Sequence, residues 1–223
     1  MAQAFELLLR GDAETWGIIG RSLSFSFFAT VFSLIPGIPL GIFIAWKPSK
    51  GRRVLASLIH AISALPTVVI GLFVYAFLSR SGPLGFLGFL YAPAGVILGQ
   101  FFLAMPLVAS VTYTGLAKLD PRFKETLETF GTPLLFKFSA TLREAKTAVL
   151  SSVVLSFGRV IGEVGVSMML GGNIRGLTRT MTTAIALDAA KGEFERAISL
   201  GLVLLLIAVA VNVTVNGLAA HGR

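Results

Sequence analysis

Five stretches of this chain are each apolar for long enough to cross a membrane, and that narrows the folds open to it. A hydrocarbon core of roughly 30 Å takes about 20 apolar residues in a helix. The runs near Ile19–Trp46, Val54–Leu78, Ala92–Leu116, Thr147–Leu170 and Ala197–Ala219 meet that length. Inside lipid every backbone group needs a partner within the protein, so each run is expected as a helix. The expected fold class is an all-α membrane protein of about five transmembrane helices.

Composition agrees. Of 223 residues, 55% are hydrophobic and only 13% charged, against about 25% charged in ordinary soluble domains. Mean hydropathy is +0.84. With no cysteine, neither a disulfide framework nor a thiolate metal site can form. The two histidines, His60 and His221, are too far apart in sequence to suggest a metal cluster, and His60 is placed near the inner face. A net charge of +8 would suit nucleic acid, but in a membrane chain it reads as basic residues retained on the cytoplasmic side, and no nucleic-acid partner is expected. Residues 1–17 carry Glu6, Asp12 and Glu14, which argues against a cleavable signal peptide. With Phe5, Leu8, Leu9 and Trp16, this segment is expected to lie along the extracytoplasmic interface. Residues 18–223 form the transmembrane domain.

Basic residues set the orientation. Lys47, Lys50, Arg52, Arg53, Lys118, Arg122, Lys124, Lys137, Arg143, Lys146 and Arg223 fall on one side, eleven in all. Arg10, Arg21, Arg80, Arg175, Arg179, Lys191 and Arg196 make seven on the other. The excess predicts a multi-pass protein of the inner or plasma membrane, its amino terminus outside and its carboxyl terminus in the cytoplasm.

The polar link from Lys118 to Lys146 has an internal design. Asp120 is placed as an N-cap, Pro121 at the first helical position and Gly131 as a left-handed stop. A second helix restarts with Thr132 as cap and Pro133 in its first turn. Phe123, Leu127 and Phe130 share one face of the first, and Leu134, Leu135, Phe138 and Leu142 one face of the second. This greasy-faced elbow on the cytoplasmic side suits docking of a soluble partner.

Pro36-Gly37-Ile38-Pro39, Pro66 and Pro106 are expected to interrupt the first three spans, since proline removes a backbone donor. Gly41, Gly71, Gly95 and Gly99 would let helices approach closely. No phosphate-binding loop, zinc-protease helix, nucleophile elbow or paired intramembrane carboxylates are present, so no enzyme is expected. Arg159 and Glu163, four residues apart near the middle of the fourth span, have two readings. Either they form a salt bridge that pins the span, or they line or brace a translocation route. After them, Gly171-Gly172 breaks the helix, and Asn173, Arg175, Thr178, Arg179, Thr180, Thr182 and Thr183 follow. These groups read either as an ordinary solvated loop or as an oxyanion guide working by neutral hydrogen bonds and basic steering, with Asn173, Thr182 and Thr183 as candidates. Asp188, Lys191, Glu193, Glu195 and Arg196 read as a solvated helix end, and Asn212 with Asn216 as interhelical glue.

Glu125-Thr126-Leu127-Glu128-Thr129-Phe130-Gly131 resembles the EAA loop in permease subunits of ABC importers, with Thr126 and Leu127 in place of its alanines. The loop's hydrophobic-x-Leu-Pro element would fall where this chain has Thr141, Leu142, Arg143 and Glu144. Phe157-Gly158-Arg159-Val160-Ile161-Gly162-Glu163-Val164-Gly165, then Gly172-Asn173-Ile174-Arg175-Gly176 and Thr178-Arg179-Thr180, resembles a pattern of molybdate, sulfate and tungstate permeases, with Val164 in place of phenylalanine. The tungstate type is most similar; molybdate, nearly identical in size and charge, and sulfate are the alternatives.

The resemblance covers roughly residues 20–220 and implies a type I ABC importer permease fold with a cytoplasmic coupling elbow. It implies as partners a second copy of the chain, two ABC ATPase subunits, an extracytoplasmic oxyanion-binding protein and membrane lipid. ATP and magnesium would be held by the ATPase and no cofactor by this chain. By position, Glu125, Thr126, Leu127, Glu128, Phe130 and Gly131 would form the ATPase-coupling segment. A stand-alone secondary transporter or channel, and a membrane scaffold or enzyme accessory subunit, are the readings from other classes.

Overall fold

The computed structural model describes residues 12–46 and 49–221. Among them the chain is helical and without strands: α1 (Ala13–Trp46), α2 (Lys50–Ser63), α3 (Thr67–Leu78), a 3-10 turn (Gly85–Leu87), α4 (Pro93–Ala117), α5 (Pro121–Thr129), α6 (Leu134–Glu144), α7 (Lys146–Ile161), α8 (Gly165–Gly171), α9 (Met181–Lys191) and α10 (Phe194–His221). Phe5, Leu8 and Leu9 lie outside the described residues.

Three helices, α1, α4 and α10, are each long and apolar enough to cross a membrane alone. The second and fourth expected spans are bent pairs: α2 with α3 at 96°, and α7 with α8 at 63°. The first bend has a local cause, because Pro66 disfavours helical backbone at Leu65 and itself holds an extended conformation ahead of α3. The second falls at Gly162–Val164, where three nearby glycines weaken the helix.

Two expectations about the first span are corrected. Pro36 and Pro39 do not interrupt α1, which runs through both as one helix of 34 residues, just as Pro106 does not interrupt α4. The start of α1 is Ala13 rather than Ile19, so residues 13–17 form its first turns. The cause lies at Asp12, whose carboxylate accepts from the Thr15 backbone N–H at 3.0 Å and from its hydroxyl at 2.6 Å. These bonds cap the helix and hold the Asp12 carboxyl below the usual carboxylate range.

The helices pack around α1 and α4, which share the most extensive interface. Small residues make it possible. A Cβ added at Gly41 would lie 2.8 Å from the Ala109 carbonyl oxygen and 2.8 Å from Thr112 Cβ; Gly99 serves the contact of α4 with α8 in the same way, where a Cβ would lie 2.3 Å from side-chain carbons of Val166 and Leu170. Ile70, Val74 and Leu78 of α3 pack with Leu103 and Ala104 of α4 and with Val160, Val166 and Leu170 from the bent fourth span. Ile42 and Ala45 near the end of α1 pack with Leu116 and Ala145, and Phe138 and Leu142 of α6 lie against them. His60 on α2 hydrogen-bonds Ser110 on α4 at 2.7 Å and sits edge-on to the Tyr113 ring. Most of α10 is exposed, with 11% of its apolar window buried. Asn212 and Asn216 are on that exposed part, so within one chain they do not glue helices together.

Replacing Gly41 with isoleucine is expected to cost about 1–3 kcal/mol through overpacking against α4. A lower thermal-unfolding midpoint in detergent would register it, while Gly20→Ile, with nothing within 4 Å, should leave that midpoint in place.

Candidate functional site

The residues singled out from the sequence gather at opposite ends of α1. At the Trp46 end stands the elbow. Asp120 caps α5 by accepting from the Arg122 N–H at 2.9 Å, and Pro121 occupies the first turn. Gly131 has φ +58°, the left-handed conformation that lets the chain reverse, and its N–H donates to the Glu128 carbonyl at 3.1 Å. The second helix starts differently from expectation: Pro133, not Thr132, is the N-cap of α6. The Thr132 hydroxyl instead donates to the Leu127 carbonyl at 2.9 Å, closing the end of α5 and leaving the start of α6 uncapped by any side chain.

The two apolar faces also divide by role. Leu127 is buried, while Phe138 and Leu142 root α6 against the ends of α1 and α4. Phe130, Leu134 and Leu135 are 77%, 82% and 83% exposed, and they cluster in sequence around the Gly131 reversal. Glu125, Thr126 and Glu128 are exposed as well. The Thr126 hydroxyl donates back to the Arg122 carbonyl at 2.7 Å, and that of Thr129 to the Glu125 carbonyl at 2.8 Å. The elbow is therefore internally tied, firmly rooted and greasy at its apex.

At the Ala13 end, Glu14 meets three arginines: Arg175, Arg179 at 3.4 Å and Arg196 at 3.8 Å. Arg196 also grips Asp188 through two bonds of 2.6 Å and reaches Glu193 at 3.1 Å. Lys191, Glu193 and Glu195 are exposed, as expected of a solvated helix end, but Asp188 is 0% exposed and Arg196 is half-buried against it, so these two depart from that expectation. The reason is geometric. Gly192 takes a left-handed conformation (φ +79°) between α9 and α10, folding Arg196 back over the Asp188 carboxylate. Arg21 adds bonds to the carbonyls of Arg179 at 3.3 Å and Gly176 at 3.5 Å. The arginines expected to steer an anion are thus largely balanced by carboxylates of the same cluster.

Beneath this cluster lies the break in the fourth span. Glu163 is not on the helical face of Arg159 midway along a helix, because α7 has already ended at Ile161. Its side chain is 4% exposed; one carboxylate oxygen accepts from Arg159 at 3.2 Å and the other from the Val166 N–H at 3.2 Å. The ion pair of the first reading is present, yet Arg159 itself remains 41% exposed. Thr182 donates its hydroxyl to the Glu163 carbonyl at 2.8 Å, tying α9 to the break. Thr180 and Thr183 form a capping box at the start of α9, with the Thr183 hydroxyl donating to the Thr180 carbonyl at 3.2 Å. Both hydroxyl protons are so committed to protein carbonyls. Asn173, at φ +52°, donates from its amide to the Thr183 carbonyl at 3.3 Å, and its buried side-chain oxygen accepts from no donor among the described residues.

Two features escaped the sequence reading. Glu14 lies 161 residues before Arg175, and no local pattern joins them. Gln100, buried on α4, donates to the Val160 carbonyl at 3.3 Å and the Ser167 hydroxyl at 3.4 Å, bracing the bent span from the other side.

Residues 37–221 match the family described as binding-protein-dependent transport system inner membrane component. The chain is 37% identical over 215 residues to the tungstate uptake system permease protein TupB of Peptoclostridium acidaminophilum, covering 96% of this chain and 94% of that protein. It is 30% identical over 177 residues to the molybdenum transport system permease protein ModB of Haemophilus influenzae, covering 74% of this chain and 77% of that one. Among solved structures it resembles a chain of the MetNI methionine ABC transporter in inward-facing conformations. That match has a TM-score of 0.67 at 18% identity, over 96% of this chain and 97% of the other.

Asp188→Asn is expected to destabilise the protein by about 1.5–3 kcal/mol, the range for hydrogen bonds to charged groups. Chemical denaturation in detergent measures it against Glu195→Gln at an exposed position; equal midpoints for the two variants would show that the buried pair contributes nothing.

Proposed function

This chain belongs to the family of binding-protein-dependent transport system inner membrane components, and we propose that it is the permease of an ATP-driven importer for a tetrahedral oxyanion, tungstate first. Two copies form one translocation path, each copy docks one ATPase subunit through its elbow, and an extracytoplasmic binding protein delivers the anion. The amino terminus lies outside and the elbow in the cytoplasm, following the excess of basic residues on the elbow side. The substrate assignment rests on the 37% identity to a tungstate uptake permease over nearly the whole of both chains. The observation that carries the coupling role is the exposed Phe130 beside the Gly131 reversal, on an elbow whose stem is packed into the bundle.

The mechanism follows from that stem. Closure of the ATPases around ATP and magnesium displaces the apex formed by Glu125, Thr126, Leu127, Glu128, Phe130 and Gly131. Because Phe138 and Leu142 are wedged against Ile42 and Leu116, the displacement passes into α1 and α4 as a rigid lever. ATP binding thereby shifts the population between inward-open and outward-open arrangements. At the far end the clustered arginines are balanced by Glu14, Asp188 and Glu193, so a dianion is attracted without being trapped. Arg159, Glu163, Asn173, Thr182 and Thr183 frame the route: the threonines, Asn173 and Glu163 hold its wall in shape, and Arg159, 41% exposed, supplies the polar group it presents.

The test is binding-protein-stimulated ATPase activity and tungstate uptake of the assembled complex in proteoliposomes, with molybdate and sulfate as competing cargoes. Gly131→Pro cannot adopt φ +58° and is expected to abolish stimulation, and Phe130→Asp, at an exposed position, to weaken ATPase assembly more than tenfold without unfolding the permease. Normal stimulation in both variants would overturn the lever. Uptake by this chain alone, without ATP, would overturn the importer assignment.

A further inference from the structure

We infer that the groove between the end of α1 and α6 is a binding site for an anionic phospholipid of the leaflet on the elbow side. The groove has a volume of about 520 Å³ and is walled by apolar side chains, among them Phe43, Trp46, Leu134 and Leu135. Two cations, Arg52 and Lys137, complete the lining, which holds no carboxylate among the described residues. The Arg52 guanidinium carbon stands 4.3 Å from the Phe43 ring centroid, which fixes a positive charge directly beside the apolar wall. The first turn of α2 repeats the pattern, with Lys50, Arg52 and Arg53 and no acidic residue.

Position in the membrane decides the occupant. Trp46 is the last residue of a helix long enough to span the bilayer, so the groove sits where hydrocarbon gives way to headgroups. The α2 helix begins there at Lys50, and its far end turns by 96° into α3. It exposes Val54, Leu58 and Ile62, spaced four apart along one stripe, while its basic residues gather at one end. This is the arrangement of a helix lying in the interface over anionic lipid. A free phosphate would meet the cations but leave the apolar wall bare, and a neutral lipid would do the reverse. A tail in the groove with a phosphate between Arg52 and Lys137 satisfies both. The lipid would then bridge α1 to the elbow helix α6, making the firmness of the elbow's root depend on membrane composition. This goes beyond the import reading and does not depend on it.

Trp46 supplies the reporter. The chain has two tryptophans, so Trp16→Phe leaves Trp46 alone in full-length protein reconstituted in vesicles. Quenching is compared between phosphatidylglycerol and phosphatidylcholine carrying brominated chains. Phosphatidylglycerol is expected to associate roughly tenfold more tightly, and Lys137→Gln to reduce that preference roughly fivefold. Arg52→Gln combined with Lys137→Gln should remove it, while Lys191→Gln at the opposite end should not. Equal quenching by the two lipids, or a preference that survives the double substitution, overturns the site. So does loss of quenching by both lipids when the ATPase is bound, which would assign the groove to that protein. The readout requires no transport, so its failure is separable from failure of the importer assignment.

Discussion

A backbone that leaves the α-helix inside a membrane frees amide and carbonyl groups that lipid cannot satisfy, and Glu163 answers that need in this protein. One carboxylate oxygen receives the Val166 N–H at the start of α8, the other receives Arg159 from α7, and the Glu163 carbonyl receives the Thr182 hydroxyl from α9. Three elements meet at one residue. A carboxylate in such a place is costly unless ionised partners surround it. Here the cost is offset by an ion pair and a backbone bond, so the bend itself becomes a fixed part of the architecture.

The longest helix then organises everything else. Its first turns carry Glu14 into the arginine cluster, its middle lies against α4 through Gly37 and Gly41, and its end roots the elbow beside Ile42 and Ala45. Two regions remote in sequence from one another, 118–146 and 175–196, are therefore joined through a single rigid element. In an importer that must alternate between two openings, such an element conveys displacement at one end to the other without any chain of small adjustments.

What could be read from the sequence was local in origin. Asp120, Pro121 and Gly131 mark the elbow because capping and left-handed reversal are properties of a few adjacent residues. The glycines of α1 and α4 announced close packing for a similar reason. Prolines were less informative: Pro66 breaks its helix, whereas Pro36 and Pro39 do not, since neighbouring helices hold the surrounding turns in register. Thr132 was misread because its hydroxyl had two possible customers, and it serves the helix behind it. The charged cluster was out of reach, because Asp188 and Arg196 pair only once Gly192 has turned the chain, and Glu14 arrives from the far end of the fold. Neither event leaves a spacing pattern. Arg159, Glu163, Asn173, Thr182 and Thr183 were visible as polar outliers in apolar surroundings, but the hydrogen bonds that already occupy them were not.

The length of α1 has one more implication. At 1.5 Å per residue its 34 residues extend about 50 Å, some 20 Å more than the roughly 30 Å thickness of hydrocarbon. Even a steep tilt of about 40° leaves on the order of 10 Å projecting. With Trp46 at the lipid boundary, where tryptophan is enriched, the surplus would emerge at Glu14. The arginine cluster is thereby hoisted on a short mast above the acyl chains, into the headgroup and aqueous layer. Whatever lands on that face of the membrane touches the tip of α1 before it touches the bilayer.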